Sequence, residues 1–287
     1  MKSALVIGGS RFFGKRLVAL LLERGVHVSL LNRAHAHDPF EDRVERLRAD
    51  RTDAHALEAA LGPRRWDVVF DNICYAPDEA ADAVALFDGR VQRYVHTSTQ
   101  SVYETFDLQR EEAFDPWSKP IRHGARADFD YGEAKRLAEA VYFQTAKFPV
   151  AAVRIPIVLG PDDYTGRLEF HLDRVRSGAP IVVPNLEART SFISSDEAAR
   201  FLEWTGRQSF TGPINACSEP PISIGEVLAL IEKTVGKKAR VERSGPTENH
   251  TPFVDVNSRY LDSSRARELG FQFSNLRQWL PDLIRQK

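Results

Sequence analysis

Tyr131 and Lys135 stand four apart in the segment Tyr131-Gly132-Glu133-Ala134-Lys135. On a helix this spacing sets both side chains on one face, a turn apart. A free tyrosine has a pKa of about 10 and is a poor base near neutrality. A cation alongside favours the phenolate and lowers that value. Tyr131 could then exchange a proton with a carbinol oxygen while a nicotinamide takes or gives hydride, and the same lysine could hold a cofactor ribose. A hydroxyl from Thr99 or Ser98, in the cluster Thr97-Ser98-Thr99-Gln100-Ser101, would fix the oxygen. Tyr-x-x-x-Lys also occurs on ordinary amphipathic helices, so the pair acquires meaning only beside a cofactor site.

The first residues of the chain offer one. Ser3 to Ile7 is a short apolar run, Gly8-Gly9-Ser10-Arg11-Phe12-Phe13-Gly14 follows, and Lys15 to Arg24 carries Leu17, Leu20 and Leu21 on one stripe. Strand, glycine turn and helix open a dinucleotide-binding unit, in which a pyrophosphate rests on the helix N-terminus. The spacing departs from G-x-G-x-x-G, with Arg11 where the middle glycine usually stands. Val26 to Leu31 is the second strand, closed by Asn32-Arg33. A carboxylate there would bind the ribose 2′-OH of NAD; Asn32 and Arg33 favour a 2′-phosphate instead, because a guanidinium binds phosphate bidentately. NADP is therefore the expected cofactor and NAD the alternative; a merely solvated Arg33 is the competing explanation. The other cofactor-contact candidates are Asp50-Arg51 after a third strand at Val44 to Leu47, Asn72 after a fourth at Trp66 to Phe70, Ser98 after a fifth at Arg93 to His96, and Ile155 at the end of a sixth at Val150 to Ile155. Asp50 could equally cap the helix expected from Asp53 to Leu61.

Six βα repeats give way after Gly160-Pro161 to smaller mixed elements. The expected division is a dinucleotide-binding domain over 1–160, to which 190–217 returns, and a smaller substrate-binding lobe over 161–189 and 218–287. With 39 Lys+Arg against 40 Asp+Glu, the formal net charge of -1 provides no general attraction for nucleic acid or an anionic membrane. Cys74 and Cys217 lie far apart without metal-ligand spacing, and Cys74 falls in an apolar run, which fits a reducing cytoplasm and no bound metal. No membrane-spanning run or signal-peptide pattern is read.

Together these segments resemble the short-chain dehydrogenase/reductase superfamily in its extended branch, the NAD(P)-dependent epimerase/dehydratase family. The likeness also covers Val153 to Pro161, Phe192 to Ala199 and Leu261 to Phe271. It implies an α/β fold, a Rossmann-type doubly wound parallel sheet with a smaller C-terminal substrate lobe. It implies Thr99, Tyr131 and Lys135 as catalytic residues, a small-molecule substrate such as a sugar nucleotide, and a homodimer through Asp78–Phe87 and Phe129–Ala146. The Gly-Gly-Ser-Arg-Phe loop is similar to a subgroup with chloroplast stem-loop RNA-binding-protein-like members, so a nucleotide-sensing or RNA-binding protein on this fold is the alternative to an enzyme. Its basic candidate patch is Lys237-Lys238-Arg240-Arg243. Gln100 follows Thr99 where 4,6-dehydratases carry an Asp-Glu pair, so that elimination is not expected, and Val158 replaces an asparagine common in sugar-nucleotide epimerases.

Overall fold

The computed structural model describes residues 1–33, 38–253 and 256–287. The chain forms two compact units, one built from 1–104, 111–155 and 198–215, the other from 105–110, 156–197 and 216–287.

The first unit holds seven parallel strands: β1 (Ser3–Ile7), β2 (His27–Asn32), β3 (Glu45–Arg48), β4 (Trp66–Asp71), β5 (Val91–Thr99), β6 (Val150–Ile155) and β7 (Gly212–Asn215). Their spatial order is β7-β6-β5-β4-β1-β2-β3. Leu5, Val69 and Tyr94 are each fully buried, as strands covered on both faces require. The chain steps outward through β2 and β3, then returns to place β4 on the other side of β1, with Ile7 level with both Leu31 and Asp71. This reversal opens a crevice beyond the carboxyl ends of β1 and β4, where ligands of such sheets bind. Helices α1 (Phe12–Glu23), α2 (Ala54–Leu61), α3 (Pro77–Phe87) and α4 (Tyr131–Thr145) belong to this unit, as does α5 (Ser195–Arg207) from residue 198. Leu57 and Leu61 of α2, Ala80 and Phe87 of α3, and Ala138, Val141 and Tyr142 of α4 share one apolar core with Leu5, Leu31, Trp66 and Tyr94 of the sheet.

Two strands differ from expectation. β5 runs on through Thr97, Ser98 and Thr99 because these pair with Val153, Arg154 and Ile155 of β6. Their polar side chains conceal a strand that backbone pairing extends. β7 becomes a seventh strand because Gly212 to Asn215 pair in register with Ala151 to Arg154.

In the second unit, Ile222–Ser223, Arg189–Thr190, Arg259–Leu261 and Asp107–Gln109 form a four-stranded sheet in that order. Phe192–Ser194 pairs with Ile157–Leu159, and Arg240–Glu242 with Pro180–Val182. Leu168, Leu172, Ile181, Phe192, Val227, Ile231 and Leu280 form its core. The expected boundaries at 160 and 190 shift accordingly. Residues 105–110 and 156–160 join this unit through the pairings at 107–109 and 157–159, and the stretch from Arg189 to Ser194 serves two sheets. Among the described residues no helix is long and apolar enough to cross a membrane, and no His/Cys/Asp/Glu group could hold a metal ion.

Candidate functional site

The glycine loop leaves β1 and enters α1. Gly8 has φ 80°, a left-handed conformation that glycine adopts without strain. A Cβ on Gly9 would lie 2.8 Å from Val6, Val18 and Leu30, so its absence lets helix and sheet close together. A Cβ on Gly14 would overlap the Gly8 carbonyl oxygen. Phe12 also lies in the left-handed region at φ 49°, which its bulk disfavours; its ring is buried, edge-on to Phe13. Arg11 is the exposed N-cap of α1 and makes no side-chain cap. The first amides of a helix have no intrahelical acceptor and suit an anion.

The loop is tied to β2, where Asn32 Nδ2 donates to Ser10 Oγ at 2.7 Å. Arg11 and Arg33 flank these two residues in sequence. Arg33 pairs with Asp50 at 3.6 Å, both side chains largely exposed. Asp50 also accepts from Thr52 N and Oγ1, and these bonds more than Arg33 hold its carboxyl below the usual carboxylate range. Asp53, not Asp50, caps α2, accepting from Ala56 N.

At the end of β4, Asn72 links three elements. Its N–H donates to Ile7 O, its Nδ2 to Gly8 O at 3.3 Å, and its Oδ1 accepts from Thr97 Oγ1 at 2.7 Å. Thr99 closes β5 level with Ile155, and its Oγ1 accepts from Ser101 N. Tyr131 opens α4 behind the N-cap Asp130, which accepts from Glu133 N. A Cβ on Gly132 would stand 2.6 Å from Ser101 O, so glycine lets the start of α4 abut the turn that follows Thr99. Tyr131 is 39% exposed and Lys135 1%. The Lys135 ammonium donates to Cys74 O and Thr97 O, both at 2.7 Å, and lies 5.6 Å from the Tyr75 ring, which in turn sits 6.5 Å from the Tyr131 ring. Two of its three donors are thus used. Burial lowers the Lys135 pKa. The pKa of His96, buried in β5, is lowered by the same desolvation, with the Lys135 and Arg51 charges adding to it. An exposed phenol and a buried ammonium thus lie one turn apart at the start of α4, and that ammonium is bound to the carbonyl of Thr97, whose hydroxyl meets the Asn72 that ties β4 to the glycine loop.

The sequence matches the NAD dependent epimerase/dehydratase family over residues 4–216. The chain belongs to this family. Epimerase/dehydratase architecture also appears in solved structures. UDP-glucose 4-epimerase of Thermotoga maritima, solved with UDP-glucose, superposes with a TM-score of 0.77 at 16% identity, covering 99% of this chain and 98% of that one. The dTDP-glucose 4,6-dehydratase of Bacillus anthracis, solved with NAD, gives 0.76 at 15% identity over 100% and 96%. A curated relative is the chloroplast stem-loop binding protein of 41 kDa b from Arabidopsis thaliana, 25% identical over 225 residues. That match takes in 72% of this chain but 56% of the relative, so the chain spans little more than half the length of that protein.

Within this epimerase/dehydratase fold, two expected cofactor contacts are engaged elsewhere. Ser98 turns toward α4 and donates to Glu139 Oε1. Glu139 is fully buried against Arg154, 2.7 Å away, and Arg154 also donates to Tyr103 Oη, Glu111 O and Phe114 O. Arg51 is buried with its NH2 2.9 Å from Asp71 Oδ2. Strand alternation is the signal for Ser98, since Thr97 and Thr99 share the opposite face. Tyr75 carries no signal in the sequence, whereas Gly132 stands in the Tyr131–Lys135 segment and serves the close approach to Ser101 O.

Proposed function

We propose that this chain is a nicotinamide-dependent oxidoreductase or epimerase acting at a secondary carbinol or carbonyl, with a sugar nucleotide or related small molecule as substrate. The observation that carries the reading is that an exposed Tyr131 and a buried Lys135 open one helix, with Lys135 Nζ bound to the carbonyl of Thr97, whose hydroxyl meets the Asn72 that also donates to Gly8 O of the glycine loop. The cofactor fits the residues present: the loop is too tight for a side chain at Gly14, and an arginine rather than a carboxylate follows Asn32. Gly8 to Gly14 would hold the pyrophosphate, Asn32, Arg33 and Arg11 the adenosine end, Asp50 the adenine side, and Asn72, Ile155 and Lys135 the remainder. When bound, a nicotinamide accepts or returns hydride. Tyr131 holds and moves the proton at the substrate oxygen, Thr99 orients that oxygen, and Lys135 supplies the positive field that favours phenolate.

NADP is the preferred dinucleotide in this reading, because Arg11 and Arg33 flank the hydrogen-bonded Ser10–Asn32 corner. Gln100 in place of an acid weighs against 4,6-elimination. A homodimer through α3 and α4 belongs to the same proposal. The RNA-binding alternative gains nothing from the basic patch, where Lys238 pairs with Glu232, Arg240 with Glu242, and Lys237 donates to Arg176 O. The test is incubation with NADP⁺ or NAD⁺ and a panel of nucleotide sugars and simple secondary alcohols, followed at 340 nm and by NMR for epimers. Turnover by wild type and its loss in Tyr131→Phe are expected. Wild-type rates in that variant would remove Tyr131 from the mechanism.

A further inference from the structure

Beneath the candidate catalytic pair lies a buried polar cluster that the mechanism does not use. Asp71, the last residue of β4, is fully buried. Its Oδ2 accepts from Arg51 NH2 at 2.9 Å and from Tyr94 Oη at 2.7 Å, and Tyr94 Oη lies 3.1 Å from Tyr142 Oη of α4. Its Oδ1 accepts from Ile73 N at 3.1 Å and so bends the chain as it leaves the strand. Two residues on, Tyr75 N donates to Glu79 Oε2 at 2.8 Å, and the same Oε2 lies 3.7 Å from Arg51 Nε. The turn from 72 to 76 is therefore pinned at both ends by carboxylates that flank one guanidinium, hydrogen-bonded to it at Asp71 and in ionic contact alone at Glu79. Between the pins, Cys74 O receives the Lys135 ammonium, and Tyr75 presents its ring to both Lys135 and Tyr131.

We propose that Arg51 is a positioning residue for the Tyr131–Lys135 pair, acting through Asp71, Glu79 and the turn they clamp. A guanidinium suits this task because its planar fork can serve two carboxylates at once and stays charged when buried. A lysine at 51 would present a single point charge and lose one of the two clamps. The cluster also places negative charge near Lys135: Asp71 and Glu79, with Glu139 of the separate Arg154 pair, each oppose the effect of burial on its ammonium. The assignment moves Arg51 from the cofactor contact expected of it to the support of the proton-transfer pair.

The proposal rests on the reading of Lys135 as a working residue, but its test needs neither cofactor nor turnover. Reductive methylation with formaldehyde and a borane, followed by mass spectrometry, reads the accessibility of each lysine. In wild type Lys135 should react far more slowly than Lys147, whose side chain is 79% exposed. Glu79→Ala removes one pin, and losing a hydrogen bond of about 1 kcal/mol should raise Lys135 methylation about fivefold by easier local opening. Arg51→Lys should do the same or more, and Lys147 should not change in either. Leu202→Ala, a buried site outside this cluster, controls for general loosening: it should lower Tm without a Lys135-specific rise. If Glu79→Ala and Arg51→Lys lower Tm but leave Lys135 methylation at the wild-type rate, or if Leu202→Ala raises it equally, Arg51 is only a stabilising residue and the proposal falls. Either result stands whether or not Tyr131→Phe abolishes turnover.

Discussion

Asp50 and Arg51 are adjacent in the chain and have opposite fates. The Arg33–Asp50 pair is 3.6 Å apart, with side chains 64% and 43% exposed. The Arg51–Asp71 pair is 2.9 Å apart, with side chains 4% and 0% exposed. Water and salt screen the first, which makes it adjustable: Arg33 can leave Asp50 at small cost, as the proposed 2′-phosphate contact requires. The second has no water to fall back on, so neither partner can leave without stranding the other's charge. One step along the backbone thus separates an adjustable surface pair from a fixed buried one.

The largest expected effect tests this contrast by stability. Arg51→Leu strands Asp71 and Glu79 and should lower unfolding free energy by about 3–5 kcal/mol in urea titration. Arg33→Ala should cost under about 1 kcal/mol. Equal losses would erase the distinction. Next comes turnover. Tyr131→Phe should reduce it at least ~100-fold, the lower range for a general acid–base group, while dinucleotide affinity stays near wild type. Loss of affinity in step with turnover would make Tyr131 a binding residue.

A third ionic cluster lies between the two extremes. Glu133, inside the Tyr131–Lys135 segment, is part-buried; burial alone would raise its carboxyl, but hydrogen bonds from Lys119, Arg136 and Arg122 overcome this and hold the pKa at about 2. A depressed folded-state pKa stabilises above the ordinary value of 4.5 and loses that contribution as pH falls through about 2. Thermal melts of Glu133→Gln should therefore show a flatter decline than wild type between these pH values. An identical acid limb would mean the three cations contribute nothing. The smallest effect belongs to Asp50. Its carboxyl is lowered first by the Thr52 backbone N–H, which Thr52→Ala keeps, then by the Thr52 hydroxyl and Arg33, so Thr52→Ala and Arg33→Ala should each shift the Asp50 carboxylate signal upward in NMR titration; a signal unmoved in either variant would remove that contact.

How much of this was legible follows the same division. The glycine loop, the Asn32-Arg33 step and the Tyr131–Lys135 spacing are local in sequence, and backbone geometry realises them directly. The buried partners of Arg51 and Ser98, Asp71 and Glu139, lie 20 and 41 residues away and so carry no local signature. Charged residue types suggest solvent or ligand unless a buried partner is known, and pairing across a parallel sheet has no short-range signature. The strand at 107–109 escaped notice for a similar reason, since it exists by pairing with 259–261.

The central claim, that the exposed pair selects a dinucleotide while the buried cluster supports proton transfer, is tested most directly by titrating NADPH and NADH by fluorescence into wild type, Arg33→Ala and Glu79→Ala. Two charged hydrogen-bonding partners, discounted for solvent screening, predict a wild-type preference for NADPH of roughly 1.5–3 kcal/mol, about 10- to 150-fold. The ratio should fall toward unity in Arg33→Ala and stay at its wild-type value in Glu79→Ala. Equal wild-type affinities, tighter NADH, or a ratio that moves in Glu79→Ala and not in Arg33→Ala would contradict the account.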